Sequence, residues 1–556
     1  MTATSQLVDS QSGIATSERD NLLVVAPPGC GKTEILAKRA AFLVGLLRPG
    51  QKILALTFSN KAQQNLRERL TRELGSARCR RYITVRNFHG HATEVLRAHA
   101  RTIGLPSDFP LPGKRTLKLA IDPYTADLPI GLALDRRSEI EAALRTVKQQ
   151  PLDDHEVLAV LANGGDRAAL SIERDRQRLR LLYYDDLLRH AQRLLRIKPV
   201  ANLYQQHYGA LLVDEFQDLS PQQLDIALRS VTTHRTFVGD PLQGIYTWAG
   251  ARPDLVETEL RQLCGEPMRL TISYRSSPAV LAVVNPIAES MGSPPLSSAR
   301  PEQWCESGAS AAIVFSTEEA ESDWIVNTAR SILARDNTAT VGVITRSGWR
   351  RQGVDHAFAK ADVPSTQWDL AVENPQIVEA LRSAAKGLPT SASIDDLEAR
   401  VLVRVPATDV DTYHDMVDAI DQLRDFASQT GSIAEAFTKL PVRDPSEVIG
   451  PGVHLLNAHT GKGQQFDWVF VPGFEGFHIP DGRAESEAEF REELRVLLVM
   501  LSRARHGVVL SRAAERISKR GNPYQPDASK WWALATAACG LSRQEFEAHI
   551  GRYERT

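Results

Sequence analysis

The sequence predicts an α/β protein in which two parallel sheets each carry a mainly helical insertion. Short apolar runs rich in β-branched residues recur, and each is followed by a polar turn and a helix-like stretch. Runs of this kind are typical of buried strands in parallel sheets, and their alternation with helices indicates βαβ units. The runs form two groups that are well separated along the chain, which indicates two α/β domains.

Each group contains four runs with the length and composition of a buried strand. In the first group these are Leu22–Val25, Ile53–Leu56, Leu211–Val213 and Thr236–Val238. In the second group they are Ala312–Phe315, Val341–Ile344, Val469–Val471 and Val508–Leu510. The segments 92–184 and 371–450 have helical periodicity instead. We therefore expect a first domain of residues 1–91 and 185–277, a second of residues 278–370 and 451–556, and the two helical segments as insertions.

The first insertion carries a run of alternating basic residues near its end. These residues are Arg174, Arg176, Arg178 and Arg180. Asp175, Gln177 and Leu179 separate them. Charge alternation of this kind usually marks a solvated helix face, and we expect one here.

The composition excludes several classes of protein. Hydrophobic residues make up 42% and charged residues 24% of the 556 residues, the balance of a soluble globular chain with more than one core. The formal net charge of -2 gives no global basic signature, so a nucleic-acid site has to be a local groove. The five cysteines are never spaced as a CxxC pair, which argues against a zinc ribbon and fits a cytoplasmic location. The sequence shows neither a signal-peptide pattern nor an apolar run long enough to span a membrane.

A phosphate-binding loop follows the first predicted strand. The strand leads into Ala-Pro-Pro-Gly-Cys-Gly-Lys-Thr at 26–33, where a helical pattern begins. In such a P-loop, backbone N–H groups and a helix N-terminus bind phosphate, Lys32 reaches the β- and γ-phosphates, and the Thr33 hydroxyl binds Mg²⁺. A chance match in a surface turn is the alternative, which the flanking strand and helix disfavour. The residues predicted to bind nucleotide here are Pro28, Gly29, Cys30, Gly31, Lys32 and Thr33.

Acidic residues follow the third predicted strand of the first group. Leu211–Val213 is followed directly by Asp-Glu-Phe-Gln-Asp at 214–218. Because ligands of such sheets bind at the carboxyl ends of strands, Asp214 is a candidate for a Mg²⁺ carboxylate. Glu215 is a candidate for the base that deprotonates the attacking water. A solvated acidic loop is the alternative, which the preceding buried strand disfavours.

An ordered set of motifs from residue 7 to residue 505 resembles the UvrD/Rep (PcrA-like) group of superfamily 1A helicases. Asp-Glu-Phe-Gln-Asp is the form that the acidic motif takes in this family. Further matching segments are Thr57–Ala62, Asn87–His89, Tyr184–Leu188, Val238–Ala251, Ser273–Ser277, Asn457–Phe466 and Glu492–Ala504. The resemblance implies two RecA-like domains that hydrolyse ATP with Mg²⁺ in the cleft between them. It also implies 3′-to-5′ movement on single-stranded DNA and action at junctions of single and double strands.

The resemblance assigns roles to individual residues. Gln11 corresponds to the glutamine that reads adenine, and Gln243 to the one that senses the γ-phosphate. Tyr274 is expected to stack on adenine, and Arg275 to contact the γ-phosphate. Arg503 corresponds to an arginine finger from the second domain. Gly463 is the remaining residue implied at the nucleotide, and the residues implied at DNA are Thr57, Phe58, Asn60, Phe88, His89, Tyr246, Trp248 and His459.

Several positions depart from the family pattern and leave alternatives open. Glu34 stands where the family often has an arginine beside the adenine, so selectivity for ATP is open. The other departures are Thr247, Ala249, Gln465 and Leu498. Two alternatives remain: a translocase that does not separate duplex, and a DNA- or nucleotide-sensing ATPase that controls a partner effector such as a nuclease. The pathway served, DNA repair or antiviral defence among others, is not determined by the sequence.

Overall fold

A computed structural model describes most of the chain. The described residues are 11–112, 114–247, 250–368, 375–402 except 387, 390 and 391, then 416, 417, 419–421, 423, 424, 427, 449–517 and 522–553. In this part of the chain, no helix combines the length and the apolar composition needed to cross a bilayer.

The first sheet has six strands in the order β3-β2-β4-β5-β1-β6 within the described residues. The strands are β1 (Asn21–Val25), β2 (Lys52–Thr57), β3 (Ile83–Asn87), β4 (Tyr208–Asp214), β5 (Arg235–Gly239) and β6 (Met268–Arg269). All of these pairings are parallel, for example Leu23 opposite Phe237 and Leu56 opposite Val213. Parallel strands place their carboxyl ends at one edge of the sheet, and loops from that edge can converge on a ligand.

The second sheet is also parallel, apart from one short strand at its end. Two further strands, β7 (Ile272–Ser273) and β8 (Ser297–Ser298), pair separately. The sheet runs β11-β12-β10-β13-β14-β9, and β15 pairs with the far end of β14 in the antiparallel direction. Its strands are β9 (Ala309–Thr317), β10 (Thr340–Thr345), β11 (Ser365–Gln367), β12 (Gly452–Asn457), β13 (Phe466–Val471), β14 (Ala504–Ile517) and β15 (Pro523–Tyr524). All eight strands predicted from apolar runs are therefore confirmed, as is the α/β fold class.

Helices cover both faces of the two sheets. Those of the first half are α1 (Lys32–Val44), α2 (Asn60–Leu74), α3 (Ser76–Tyr82), α4 (Phe88–His99), α5 (Lys114–Ile121), α6 (Ile130–Lys148), α7 (Asp154–Gly164), α8 (Arg167–Arg178), α9 (Tyr184–Leu195), α10 (Lys198–His207), α11 (Pro221–Ser230) and α12 (Pro253–Cys264). Those of the second half are α13 (Pro278–Ser290), α14 (Glu318–Arg335), α15 (Gly348–Lys360), α16 (Pro375–Ala385), α17 (Ile394–Leu402), α18 (Glu487–Leu501), α19 (Trp532–Thr536) and α20 (Arg543–Arg552). We call the β1–β6 sheet with its helices the first lobe and the β9–β15 sheet with its helices the second lobe.

The start of the first insertion differs from the predicted boundary. Residues 91 and 92, between which the boundary was placed, both lie inside helix α4. Ala92, Val95 and Leu96 of that helix pack in one apolar cluster with strand residues of the first lobe. A separate cluster from Ile121 to Tyr183 joins α6, α7 and α8. We therefore propose that the insertion begins after α4, where this second core starts.

A buried ionic network joins the insertion to α9 and corrects one expectation. Arg176 is 2% exposed and donates to Glu173 at 2.7 Å, so it does not belong to a solvated face. Asp186 accepts from Lys148 and Arg189, both at 2.9 Å. Burial disfavours the ionised form of Asp186 and raises its pKa. The nearby cations together have the larger effect and hold the pKa of Asp186 well below its usual range. The prediction of a solvated face was wrong for Arg176 because the alternation of charged residues does not show which other helices pack against them.

Asp186→Asn should destabilise the protein by about 3–5 kcal/mol, because it leaves buried cations without their shared carboxylate. Urea unfolding followed by circular dichroism measures the change. Asp175→Asn is the matched control, because the Arg178–Asp175 pair is 72% and 53% exposed. Such exposed pairs contribute about 0–1 kcal/mol. Equal losses in the two variants would contradict this account of the network.

Candidate nucleotide and nucleic-acid site

The candidate site is a cavity of about 850 Å³ between the two lobes. Loops from the carboxyl ends of β1, β2, β4 and β5 meet the loop that follows β12 there. The lining residues predicted from the sequence are Pro28, Gly29, Gly31, Lys32, Thr33, Phe58, Asp214, Glu215, Gln243, Tyr246, Tyr274, Arg275, His459, Gly463 and Arg503. Their convergence from distant parts of the chain is what a site between two domains requires.

The P-loop begins where β1 ends and closes on the N-terminus of α1. Gly29 and Gly31 have φ angles of 80° and 90°, the left-handed region that favours glycine. A Cβ at Gly29 would lie 2.5 Å from the Cβ of Arg275, so the loop touches a residue predicted at the γ-phosphate. Gln11 Nε2 donates to the carbonyl of Cys30 at 3.2 Å, which places the predicted adenine-reading side chain beside the loop. Cys30 is fully buried, and burial raises the pKa of its thiol to about 12.

Gly29→Ala should weaken nucleotide binding at least about tenfold, because the added methyl meets Arg275 and Ser273 Oγ and the backbone is left-handed. Titration with a fluorescent ATP analogue measures the Kd. Gly13→Ala is the matched control, because a Cβ there meets nothing within 4 Å. An unchanged Kd for Gly29→Ala would contradict this account, because it would mean that the P-loop accommodates a methyl group at residue 29.

Two carboxylates at the end of β4 have opposite electrostatic surroundings. Glu215 Oε2 accepts from Lys32 Nζ at 2.8 Å and from Gln217 Nε2 at 2.7 Å. Burial works against ionisation, but Lys32, Lys462 and the Gln217 hydrogen bond together outweigh it, and the pKa of Glu215 falls to about 2. Burial, helped by the neighbouring Glu215 charge, raises the pKa of Asp214 to about 7. Glu215 has a φ of 54°, an uncommon conformation for this residue type that aims the carboxylate into the cavity.

The residues present fit a Mg²⁺ ion. Burial and the neighbouring Glu215 charge raise the pKa of Asp214, and a divalent cation at this carboxyl would stabilise its ionised form. Thr33 is the second residue of α1 and lines the same cavity. Mg²⁺ usually binds through one or two protein oxygens together with phosphate oxygens and water, which matches this small donor set.

Lowering the pH from 8 to 6 should raise the Mg²⁺ concentration for half-maximal nucleotide binding about tenfold. Asp214 has a pKa raised to about 7, so it is mainly ionised above that value and mainly protonated below it. The measurement is a Mg²⁺ titration with a fluorescent nucleotide at each pH, corrected for Mg²⁺ bound by the nucleotide alone. A corrected midpoint that is equal at the two pH values would contradict Asp214 as a ligand.

Two arginines line the cavity, Arg503 from the second lobe and Arg275 from the segment that follows β7 and contacts the P-loop. Arg503 follows helix α18, is 2% exposed and donates to Gln243 Oε1 at 3.2 Å. Its Nε donates to the carbonyl of Val499 at 2.9 Å, which fixes the guanidinium. Burial lowers the pKa of Arg503 to about 9 and that of Arg275 to about 10, so both stay cationic at neutral pH. Tyr274 is 43% exposed and available for stacking.

Aromatic side chains form a row beside the nucleotide end of the cavity. Phe58 stacks on Tyr246 with ring centroids 5.4 Å apart, and Tyr246 lies 6.5 Å from His459. His89 stacks on Tyr184 at 4.1 Å. Of the other predicted DNA contacts, Asn60 accepts a hydrogen bond from Asn87, and Thr57 and Phe88 are buried. Trp248 lies outside the described residues.

Lys462 is a functional candidate that the sequence analysis missed. Its Nζ donates to both oxygens of Asp218, at 2.6 and 2.7 Å, and to the carbonyl of Gln243 at 2.8 Å. It also lies 4.5 Å from the ring centroid of Tyr246. One second-lobe lysine therefore touches the acidic segment, the predicted γ-phosphate sensor and the aromatic row. The sequence offered one signal for Lys462, its position inside the segment Asn457–Phe466 that matches a family motif. Its contacts could not be predicted, because its partners are more than 200 residues away in sequence.

Four of the five departures from the family pattern lie in the described part of the chain, and Ala249 lies outside it. Glu34 forms ion pairs with Arg69 and with Lys38, the latter at 3.4 Å. Thr247 Oγ1 donates to Glu492 of the second lobe. Gln465 lines the cavity, and Leu498 is buried in the second-lobe core.

The chain is similar in sequence to known DNA helicases. Residues 7–263 match the model of the UvrD/REP helicase N-terminal domain. The chain is 26% identical to ATP-dependent DNA helicase UvrD1 of Mycobacterium tuberculosis (strain ATCC 25618 / H37Rv), covering 92% of this chain and 83% of that protein. It is 27% identical to ATP-dependent DNA helicase UvrD2 of Mycobacterium tuberculosis (strain CDC 1551 / Oshkosh), covering 92% and 79%. DNA helicase II of Escherichia coli (strain K12) is 30% identical over 51% of this chain and 40% of its own length.

Proposed function

We propose, from the premise that this chain is a UvrD/Rep-like member of helicase superfamily 1A, that it is an ATP-dependent DNA helicase. In the proposal it hydrolyses ATP between its two lobes and moves along single-stranded DNA. The observation that carries the proposal is that one cavity joins the P-loop, the two carboxylates, Arg275 and the second-lobe Arg503. Lys462 connects this cavity to the aromatic row.

Binding of nucleotide rearranges the Lys32–Glu215 ion pair. Lys32 Nζ now lies 2.8 Å from Glu215 Oε2, and the same ammonium is the group that a P-loop directs at phosphate. When phosphate oxygens bind Lys32 Nζ, Glu215 loses that donor. Gln217 Nε2 then remains as its close hydrogen-bond donor. In the nucleotide-free structure the pKa of Glu215 is lowered to about 2, so the carboxylate is ionised. Loss of the Lys32 ion pair raises that pKa and makes Glu215 a better acceptor for a proton from water. Mg²⁺, when bound at Asp214 and Thr33, supplies charge neutralisation for the phosphates.

Two arginines place positive charge at the phosphate end of the cavity. Arg275 and Arg503 are available to stabilise charge that develops on the transferred phosphoryl group. Arg503 reaches Gln243 of the first lobe, so the state of the nucleotide affects a contact between the lobes. Tyr246 lies three residues beyond Gln243. A change at Gln243 when nucleotide binds or is hydrolysed therefore alters how strongly Tyr246 binds the bases.

The proposed substrate is the strand itself and not a particular sequence. Phe58, Tyr246 and His459 present rings rather than a set of base-edge hydrogen-bonding groups. Aromatic stacking tolerates every base, which suits a motor that passes over any sequence. The family resemblance supports 3′-to-5′ movement and a role in DNA repair.

The proposal is tested by the ATPase rate of the purified chain with and without a poly-dT oligonucleotide. We expect strong stimulation by DNA, followed by unwinding of duplexes with a 3′ tail and not of those with a 5′ tail. A rate that ignores DNA would contradict the motor, and preference for the 5′ tail would contradict the polarity alone. If DNA stimulates hydrolysis but neither duplex is unwound, the protein is a translocase and not a helicase.

A further inference from the structure

Arg39 is a buried cation whose hydrogen-bond partners are neutral oxygens. It lies in helix α1, two turns beyond the P-loop, and is 1% exposed. Burial lowers the pKa of its guanidinium to about 10, so the group stays cationic at neutral pH. Buried charges usually have a charged partner, because an uncompensated charge is costly away from water. A guanidinium that is instead satisfied by neutral oxygens calls for an explanation.

Three of these oxygens are carbonyls of one short segment ahead of β1. Arg39 Nη1 donates to the carbonyl of Ala15 at 3.2 Å and to that of Ser17. Its Nη2 donates to the carbonyl of Arg19 at 3.3 Å. A fourth bond, from Nε to Thr236 Oγ1 at 3.3 Å, fixes the guanidinium to β5. The planar guanidinium reaches several acceptors at once, which the single ammonium of a lysine cannot do in the same geometry.

The segment that Arg39 binds is a helical turn that contains Gln11. Gln11 and the four residues after it are helical, and Thr16 N donates to the carbonyl of Ser12 at 3.0 Å. Ile14 is 2% exposed and packs in the same apolar cluster as helix α1. Carbonyls at the C-terminal end of a helical turn carry partial negative charge, which a cation stabilises. Arg39 therefore fixes the turn from its C-terminal end.

The other end of the turn contacts the P-loop. Gln11 Nε2 donates to the carbonyl of Cys30 at 3.2 Å. A Cβ at Gly31 would lie 3.0 Å from the same nitrogen and 3.8 Å from the Cβ of Glu34. Gly31 and Glu34 both line the nucleotide cavity. A continuous series of contacts thus runs from Arg39 through the turn to the edge of that cavity.

The amide of Gln11 has the chemistry to distinguish adenine from guanine. An amide carries N–H donors and an acceptor oxygen side by side, the arrangement that pairs with the N6 amino group and N7 of adenine. Guanine has the acceptor O6 in place of that amino group. Two N–H donors also make the bond to Cys30 compatible with a bond to the base.

The residue at position 34 makes Gln11 more important for this distinction. Glu34 stands where the family often has an arginine beside the adenine. Its carboxylate pairs with Arg69 of helix α2 and with Lys38 at 3.4 Å. A carboxylate held by two cations does not supply the positive charge of that arginine. Recognition of the base on this side of the cavity therefore depends on how accurately Gln11 is placed.

We propose that Arg39 is a positioning residue that holds Gln11 for adenine and thereby sets the preference of the chain for ATP over GTP. This inference rests on the proposed function, because it assumes that ATP binds at the P-loop. Arg39 does not touch the nucleotide and acts through the carbonyls of the turn. Without it the turn loses its C-terminal anchor, and the amide no longer meets the edge of the base in a fixed geometry.

The test compares Arg39→Met, Gln11→Ala and the double variant in the full-length protein, with kcat and KM measured for ATP and for GTP. Arg39→Met should raise KM for ATP about 5- to 100-fold, the discrimination that one bidentate amide gives. KM for GTP and both kcat values should stay within about twofold of the wild type. Gln11→Ala should have the same effect, and the double variant should be no worse than either single variant.

Two further variants separate this role from general support of the fold. Arg39→Lys keeps a buried cation but cannot reach three carbonyls at once, so KM for ATP should rise by a smaller factor and KM for GTP should not change. It carries the test if Arg39→Met does not fold. Thr236→Val is the matched control, since it removes the fourth acceptor of Arg39 and leaves the three carbonyls in place. Its ratio of KM values for ATP and GTP should stay within about twofold of the wild type.

Three results would overturn the role of Arg39. They are a wild type with no preference for ATP, an equal rise in KM for both nucleotides in the Arg39 variants, and additive losses in the double variant. An equal rise would mean that Arg39 supports the P-loop as a whole. The proposed function fails differently, through a hydrolysis rate that ignores DNA, and the ratio of KM values is measurable in that case too. The two failures are therefore distinguishable.

Discussion

Glu215→Gln should lower kcat for ATP hydrolysis about 10²- to 10⁴-fold while nucleotide binding persists. The amide keeps the shape of the side chain but cannot accept a proton from water. Lys32 loses its ionic partner in the nucleotide-free state, in which the two atoms lie 2.8 Å apart. Because phosphate no longer has to compete for that lysine, the Kd for ATP should be equal to or lower than that of the wild type.

Steady-state hydrolysis and a fluorescent-nucleotide titration measure the two quantities separately. Glu68→Gln is the matched control, since Glu68 lines the same cavity from helix α2 and no step is assigned to it. Because the pKa of Glu215 is lowered to about 2 in the nucleotide-free enzyme, protonation of this residue should cause no loss of kcat/KM between pH 8 and pH 5. A variant that keeps wild-type kcat would remove Glu215 from the mechanism.

Local sequence patterns predicted the elements that depend on local physics. Buried parallel strands are continuous apolar runs, so β1, β4 and β13 were identifiable without any partner. Strand β3 was missed because its burial alternates, and β12 because a histidine interrupts its apolar run. The P-loop was predictable for the same local reason: its glycines, lysine and following helix are contiguous.

Contacts between distant segments were not predictable from the residues alone. Arg503 meets Gln243 across 260 residues, and Lys462 meets Asp218 across 244. Only the family resemblance predicted that Arg503 lies at the nucleotide, and the resemblance did not identify Lys462. The alternating basic run of α8 shows the same limit, because Arg176 became buried through its packing against α9. Burial is set by tertiary neighbours, which periodicity does not specify.

Arg503→Ala should lower DNA-stimulated kcat about 10³- to 10⁵-fold, the range over which arginine fingers act. The guanidinium is buried and held by Val499, so it is positioned before the reaction. Its pKa of about 9 keeps the charge at neutral pH. Arg503→Lys should recover little of this activity, because an ammonium cannot donate to Gln243 and a phosphate in the same forked geometry.

The measurement is ATPase rate at saturating oligo-dT, with nucleotide and DNA affinities determined for each variant. Arg491→Ala is the matched control, since Arg491 is an exposed arginine in helix α18, which ends two residues before Arg503. Because Arg503 and Gln243 lie on different lobes, its loss should also weaken the dependence of DNA affinity on nucleotide state. A fall in kcat with that dependence intact would assign Arg503 to chemistry alone, whereas a wild-type kcat would contradict any role at the phosphate.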